Sequence, residues 1–316
     1  MAVTRWGILS TARINRAVLD GARESDAVEV VAVASRDGAR AEAYAREHGI
    51  GRAHGSYEAL LEDDGVDAVY ISLPNSLHHE WTLRALASGK HVLCEKPYSR
   101  RTAEVAEAFD AADRAGLVLS EAFMWRHTPQ TRRLVELLPE IGELRGVRSA
   151  HAFFLSDPTN VRLIAGLDGG GLMDVGCYCV SASRLFGGEP ERVYGEQVVG
   201  PTGVDVHFTA TLRFPGGVIA EFACGFDFTQ RELEAIGTEG TLKTLDPFTF
   251  SKGGVYLNGE EQPVEPEDPY KLELENVSAA ARGEAPLLLG RADALGQARA
   301  IEALYESADK AQPVEL

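Results

Sequence analysis

Along the first third of the chain, short β-branched apolar runs alternate with longer stretches in which apolar positions recur every three or four residues. Residues 6–9 (WGIL), 28–34 (VEVVAVA), 68–73 (AVYISL), 91–94 (HVLC) and 117–120 (LVLS) read as strands. The run at 28–34 is almost wholly apolar, as a strand covered on both faces must be. Between these strands the spacing predicts helices over 13–22, 38–48, 77–88 and 102–115. Asp37 is placed to cap the second of these, and Gly89 and Gly116 to end the third and fourth. Strands alternating with helices of this length specify βαβ units and a parallel, doubly wound sheet.

The rhythm changes near residue 123. Residues 145–155, 192–199, 204–214, 218–226, 231–237 and 241–245 are strand-like, and several are separated by tight-turn residues such as Pro215-Gly216-Gly217, Glu239-Gly240 and Asn258-Gly259. Consecutive strands joined by short turns imply a mixed, mainly antiparallel open sheet. Helices are expected at 171–186 and 291–310. The fold class is therefore α/β, a Rossmann-type domain over residues 1–122 followed by an α+β domain over 123–316, with a C-terminal helix packing back on the first. Apolar residues on both faces around 204–226 predict a homodimer or homotetramer formed through the second sheet.

Composition narrows the function. The 316 residues carry 31 Lys+Arg against 48 Asp+Glu, a formal charge of −17. Such a surface repels polyanions and argues against nucleic acid and against anionic membranes. It leaves room for one small anionic ligand met by a local arginine cluster. Cys94, Cys177, Cys179 and Cys224 are too few and too badly spaced for a disulfide framework or a zinc site. His79, Glu80 and His127 lack partners at metal-ligand spacing, so no metal is expected. With no basic start leading into a long apolar stretch, the chain reads as cytoplasmic.

Parallel sheets of this kind bind ligands beyond the carboxyl ends of their strands. The first such turn runs Gly7-Ile8-Leu9-Ser10-Thr11-Ala12-Arg13-Ile14-Asn15. A dinucleotide fingerprint would place glycines where Ser10, Ala12 and Asn15 stand. These are small or turn-tolerant, so backbone could still approach a pyrophosphate at the helix N-terminus, although a turn with no ligand fits the segment equally well. The second strand ends Ser35-Arg36-Asp37, with Arg40 one turn on. A hydroxyl and two guanidinium groups suit a 2′-phosphate, which favours NADP over NAD, unless both arginines are ordinary surface residues. The third strand ends Leu73-Pro74-Asn75-Ser76-Leu77-His78, where His78 taken alone is a structural histidine at a helix start.

The fourth strand ends Cys94-Glu95-Lys96-Pro97. An ammonium at that edge can stabilise a phenolate or hold a substrate oxygen, or it can simply pair with Glu95. Pro97 pushes Lys96 toward an extended or cis-linked conformation. A second constellation is Gly169-Gly170-Gly171-Leu172-Met173-Asp174-Val175-Gly176-Cys177-Tyr178. Asp174 and Tyr178, four apart, share one helix face away from the apolar face, and the glycines would let substrate or cofactor come close. A phenol near a carboxylate and a lysine is a plausible acid/base group; the alternative is a first-turn helix acid and a packing tyrosine.

Taken together, these segments resemble the Gfo/Idh/MocA oxidoreductases. The marks are Pro74-Asn75-x-x-His78, the run from Gly89 to Pro97 with Glu95-Lys96-Pro97, and the triglycine run ending at Tyr178. The opening Trp6-to-Ala12 segment, the run Glu121-Ala122-Phe123-Met124-Trp125-Arg126-His127 and Asp174-to-Tyr178 resemble the branch of D-xylose (aldose) 1-dehydrogenases, dimeric dihydrodiol dehydrogenases and glucose–fructose oxidoreductases. The resemblance implies that Lys96 and Tyr178 form the catalytic pair with Asp174 assisting. It implies that Gly7, Ser10, Thr11, Ala12, Arg13, Ile14, Ser35, Arg36, Arg40, Leu73, Pro74, Asn75, His78, Glu95, Lys96, Trp125 and Arg126 bind or adjoin the cofactor. Phe154, Asn160 and Arg162 would line a sugar pocket. The expected reaction is oxidation of a neutral cyclic aldose at C1 with NADP. The alternatives are a keto-sugar or dicarbonyl reductase, a trans-dihydrodiol dehydrogenase, a glucose–fructose oxidoreductase with tightly held cofactor, and a non-catalytic NADP(H) sensor.

Overall fold

The computed structural model describes residues 2–249 and 253–316. The chain runs β1 (Thr4–Leu9), α1 (Asn15–Arg23), β2 (Val28–Ala34), α2 (Gly38–His48), β3 (Arg52–His54), α3 (Tyr57–Leu61), β4 (Ala68–Ile71), α4 (His78–Ala87), β5 (His91–Glu95), α5 (Thr102–Ala115) and β6 (Leu119–Ala122). There follow α6 (Pro129–Leu137), β7 (Leu144–Ala152), α7 (Cys177–Gly187), β8 (Arg192–Val199), β9 (Asp205–Arg213), β10 (Ile219–Gly225), β11 (Gln230–Gly237), β12 (Thr241–Leu245), β13 (Val255–Leu257) and β14 (Glu260–Gln262). The chain closes with α8 (Pro269–Ala281), α9 (Arg291–Lys310) and β15 (Val314–Glu315).

Among the described residues the first sheet has six strands in the order β3-β2-β1-β4-β5-β6, all parallel. The second has nine, in the order β14-β13-β12-β11-β7-β10-β9-β8-β15. Only β7 and β10 pair in parallel there; the other neighbours are antiparallel. The doubly wound sheet plus a mixed, mainly antiparallel one is the architecture that the hydrophobic pattern predicts. As expected, Asp37 caps α2 by accepting the Arg40 N–H, and Gly49 ends it in a left-handed conformation.

The chain divides into two compact units, but not at a single cut. The first comprises Met1–Ser99, Ala103–Met124 and Asp268–Ala294; the second comprises Arg100–Thr102, Trp125–Glu267 and Leu295–Leu316. The segment that returns to the first unit is α8, an element the sequence pattern did not announce. Leu274 and Val277 of α8 join Trp6, Ile8, Val18, Leu19, Val33, Tyr70 and Leu93 in one apolar cluster. Its Ser278 accepts the buried Trp6 indole N–H at 3.1 Å. Glu273 and Glu275 interrupt the apolar pattern and hid this helix, which packs beside α1.

In the second unit, β9 and β10 alternate over Phe208–Arg213 and Ile219–Cys224. Phe208, Ala210, Leu212, Ala220, Phe222 and Cys224 are buried, whereas Thr209, Thr211, Arg213, Ile219 and Glu221 face outward. The expected second apolar face is therefore largely polar, with an Arg148–Glu221 ion pair across it. All four cysteines are free and buried. Among the described residues no helix is long and apolar enough to cross a membrane.

Candidate active site

In the first unit the register of the parallel sheet gathers the predicted cofactor residues at one edge. Leu9 lies beside Ala34 and Ile71, and Ile71 beside Cys94, so the residues that follow each strand emerge together. Ser10 leaves β1 with φ 133°, a conformation that L residues rarely adopt. Its side chain stabilises that backbone. Ser10 Oγ shares a hydrogen bond with Ser72 Oγ at 2.8 Å and accepts the Ala12 N–H at 3.0 Å. Buried Asn15 completes the knot, donating from Nδ2 to the Ser10 carbonyl at 3.0 Å and accepting the Ser72 hydroxyl at 2.6 Å. Helix α1 follows, and Ile14 at its N-cap supplies no side-chain cap. Thr11, Ala12 and Ile14 are half-buried and Arg13 is exposed in the turn leading into α1, whose positive N-terminal end suits an anionic pyrophosphate.

Ser35 is buried at the end of β2 and accepts the Asp37 N–H at 3.2 Å. Arg36 and Arg40 are exposed beside it. Both also lie close enough to the Tyr57 hydroxyl to oppose the rise in its pKa that burial causes. The edge therefore offers a hydroxyl and two guanidinium groups within one turn, the donor set a 2′-phosphate requires. Leu73 is buried, and Pro74 and Asn75 are half-buried at the start of a short 3-10 turn.

Three expected cofactor residues make contacts within the first unit. Gly7 sits inside β1, where a Cβ would lie 2.7 Å from Cδ2 of buried Leu60. His78 is fully buried, its Nδ1 3.0 Å from the Pro97 carbonyl and its Nε2 2.8 Å from the Leu73 carbonyl. Burial lowers its pKa against the pull of those carbonyls. A neutral imidazole donates to one of them at a time; the Nδ1 contact joins this turn to the Lys96-Pro97 segment, and the Nε2 contact stays within the third-strand turn. Glu95 accepts the Tyr70 hydroxyl and, through its other oxygen, the Lys96 N–H at 3.2 Å. Burial, then the neighbouring Glu95, pushes Tyr70 and the buried carboxyl of Glu273 well above their usual pKa values. Lys96 itself is half-buried at the end of β5 and joined to Pro97 by a cis peptide bond.

The second unit carries the other candidates. Residues Leu172–Gly176 form a π-helical segment that runs into α7. The segment before Tyr178 is thus π-helical where a regular α-helix was expected; such π segments are common at functional sites. Asp174 Oδ2 accepts from Arg162 Nε at 2.6 Å, so two of the predicted residues meet. Asn160 caps the short turn before Arg162 by accepting the Arg162 N–H. Phe154, by contrast, is 72% exposed. Its neighbour Phe153 packs edge-on against Phe226, with the Arg162 guanidinium 6.0 Å from its ring.

Tyr178 is buried to 8% exposure in an aromatic cluster that the sequence did not reveal. His151 lies 5.2 Å and Phe248 5.5 Å from its ring, centroid to centroid, and fully buried Trp125 meets Phe248 edge-on at 5.3 Å. The Trp125 indole N–H is buried with no acceptor among the described residues, an orphan donor of the sort a ligand satisfies. Arg126 stands half-buried, its guanidinium 5.8 Å from the Trp125 ring. Burial, with Arg126 and Arg132 nearby, lowers His127 to about 3 and keeps it neutral. A histidine within an alternating strand was the one local hint of His151; Phe248 had none.

Residues 4–123 match the oxidoreductase family with an NAD-binding Rossmann fold, and residues 131–243 match the GFO/IDH/MocA C-terminal domain. The chain belongs to the Gfo/Idh/MocA oxidoreductase family. It is similar to the NADP(+)-dependent D-xylose 1-dehydrogenase 2 of Haloferax volcanii, 40% identical over 98% of this chain and 99% of that one. It is also similar to the trans-1,2-dihydrobenzene-1,2-diol dehydrogenase of Oryctolagus cuniculus, 39% identical over 78% and 77%. Among solved structures, a 3-ketoreductase from Actinomadura kijaniata in complex with NADP and TDP-benzene is 31% identical over 96% of this chain and 98% of that one, with a TM-score of 0.91. An aldose-aldose oxidoreductase from Caulobacter crescentus complexed with glycerol is 26% identical over 99% and 100%, with a TM-score of 0.93. As a family member, the protein is an oxidoreductase with an NAD(P)-binding Rossmann domain that acts on CH–OH groups.

Proposed function

We propose that the protein oxidises a neutral cyclic aldose at its anomeric carbon, with NADP rather than NAD, to give the lactone. The observation that carries this reading is the full-length similarity to the NADP(+)-dependent xylose dehydrogenase. The basic group set at Ser35, Arg36 and Arg40 supports the choice of cofactor, and the uncapped turn after Ser10 would receive the pyrophosphate. When bound, the nicotinamide supplies the acceptor for the hydride that leaves C1. Tyr178 takes the hydroxyl proton at its phenol oxygen. Lys96 holds the sugar oxygen and favours the phenolate form of that tyrosine. Asp174, oriented by Arg162, binds a second hydroxyl.

Tyr178→Phe and Lys96→Ala are each expected to lower kcat by about 10²-fold or more. Near-wild-type turnover in either would overturn the assignment. Arg36→Ala is expected to raise KM for NADP+ with little change in kcat, the signature of lost ground-state binding. An unchanged KM would overturn the 2′-phosphate role.

A second reading, reduction of a keto-sugar by the same residues, is favoured by the similarity to the 3-ketoreductase. Initial rates with NADP+ plus D-xylose and D-glucose, against NADPH plus keto-sugars, decide between the two. Assembly into a homodimer or homotetramer through the outer face of the nine-stranded sheet is part of the same proposal. Exposed Ile219 and Val198 would lie among the polar groups of that face, and light scattering gives the state.

A further inference from the structure

Strand β9 begins with an acid that delivers its carboxylate to the turn preceding Tyr178. Asp205 is 3% exposed. Its Oδ2 accepts the backbone N–H of Leu172 at 2.6 Å, and its Oδ1 accepts the Tyr305 hydroxyl at 2.9 Å. Tyr305 is held in turn by the Arg100 guanidinium, 4.7 Å from its ring, and Arg100 pairs with Asp168 at 3.1 Å. Leu172 opens the π-helical segment, and Gly171 before it offers no side-chain cap. The N–H groups of a helix start need acceptors, and a capping side chain ordinarily comes from the preceding residue. Here the acceptor comes from a strand 33 residues further along the chain.

Gly170 and Gly171 make room for it. Gly170 has φ 130°, and a Cβ on it would overlap Asp205 Oδ1; a Cβ on Gly171 would lie 3.1 Å from the Gly225 Cα and 3.2 Å from Asp205 Oδ2. The glycines thus admit a carboxylate of the protein itself, where the sequence reading expected substrate or cofactor. The same turn fixes Arg162 from the other side. The Gly170 N–H donates to the Arg162 carbonyl at 2.9 Å, and the Arg162 side chain reaches Asp174. The turn is clamped at both ends, and Asp174 and Tyr178 take their places from it.

We propose that Asp205, seconded by Tyr305, is a positioning residue for the reaction: by holding the Leu172 N–H it sets the π-helical turn and thereby Asp174 and Tyr178. The proposal rests on the catalytic reading of Tyr178 given above. The test pairs amide hydrogen exchange of residues 172–178 with steady-state kinetics on D-xylose and NADP+, using the full chain. In Asp205→Ala, exchange is expected to accelerate about tenfold or more. Its kcat is expected to fall about tenfold or more, while KM for NADP+ stays within roughly twofold. In Asp205→Asn the amide oxygen still accepts the Leu172 N–H, so most of both losses should be recovered. Tyr305→Phe, which removes only the second bond, should fall between and carries the test if Asp205→Ala does not fold. Unchanged exchange in Asp205→Ala overturns the clamp. Raised exchange with wild-type kcat, or an asparagine variant as impaired as the alanine one, overturns the positioning role. Failure of the catalytic reading shows separately, as full activity of Tyr178→Phe or an inactive native protein, and the exchange measurement still decides whether Asp205 holds the turn.

Discussion

Two turns, one in each unit, share nearly the same unusual φ and reach it with opposite residues. Ser10 has φ 133° and Gly170 has φ 130°, and each stands shortly before a helix whose start has no local side-chain cap. At Ser10 the space beside Cα is open to a side chain, and the hydroxyl is put to use on Ser72 and the Ala12 N–H. At Gly170 that space is taken by the Asp205 carboxylate, and no side chain fits. A positive φ therefore does not by itself demand glycine. What demands it is the neighbour standing where the Cβ would be, while a serine that bonds its own turn can bear the strain, of about 1–3 kcal/mol.

Substitutions at these positions separate the two cases. Gly170→Ala should cost most, roughly 3 kcal/mol of stability, since backbone strain and overlap with a buried carboxylate add. Urea unfolding would show it, and a midpoint close to the native one would mean that Asp205 moves aside freely. Asn15→Ala should follow at about 2 kcal/mol, because it leaves the Ser10 carbonyl and the Ser72 hydroxyl buried without their partner. The smallest effects belong to Ser10. Ser10→Ala keeps the strained backbone without the hydroxyl bonds and should destabilise by about 1 kcal/mol. Ser10→Gly relieves the strain as it removes the bonds, and should lie within about 0.5 kcal/mol of the native protein in the same measurement. Equal losses in the two Ser10 variants would show that the hydroxyl, not the backbone, governs this turn.

Five of the six parallel strands of the first unit were legible because each is a largely apolar run bounded by helical periodicity, as at Val28–Ala34, whereas the edge strand β3, Arg52-Ala53-His54, carries no such run and was not. The antiparallel strands were legible through turn residues, although β13 and β14 flank an Asn258-Gly259 turn without carrying enough apolar residues to declare themselves. Helix α8 was not legible, since its contribution to the first unit's core consists mainly of Leu274, Val277 and the Ser278 hydroxyl, residues that signal nothing until Trp6 is beside them. In the candidate site, Lys96, Asp174 and Tyr178 stood out as motif residues. The places of Arg162 against Asp174 and of His151 and Phe248 against Tyr178 did not, as each pair joins segments with no local relation.

The sequence by itself determined the parallel and antiparallel architectures, the family membership and the segments that carry its chemistry, because hydrophobic period and motif spacing are local properties. The tertiary structure alone decided how those segments are held. The His78 ring meets the Pro97 carbonyl, Gly170 and Gly171 admit the Asp205 carboxylate, and that carboxylate holds the first N–H of the π-helical turn before Tyr178. Each of these is a hydrogen bond or a steric exclusion between residues distant in the chain, and its energy exists only once folding has brought them together.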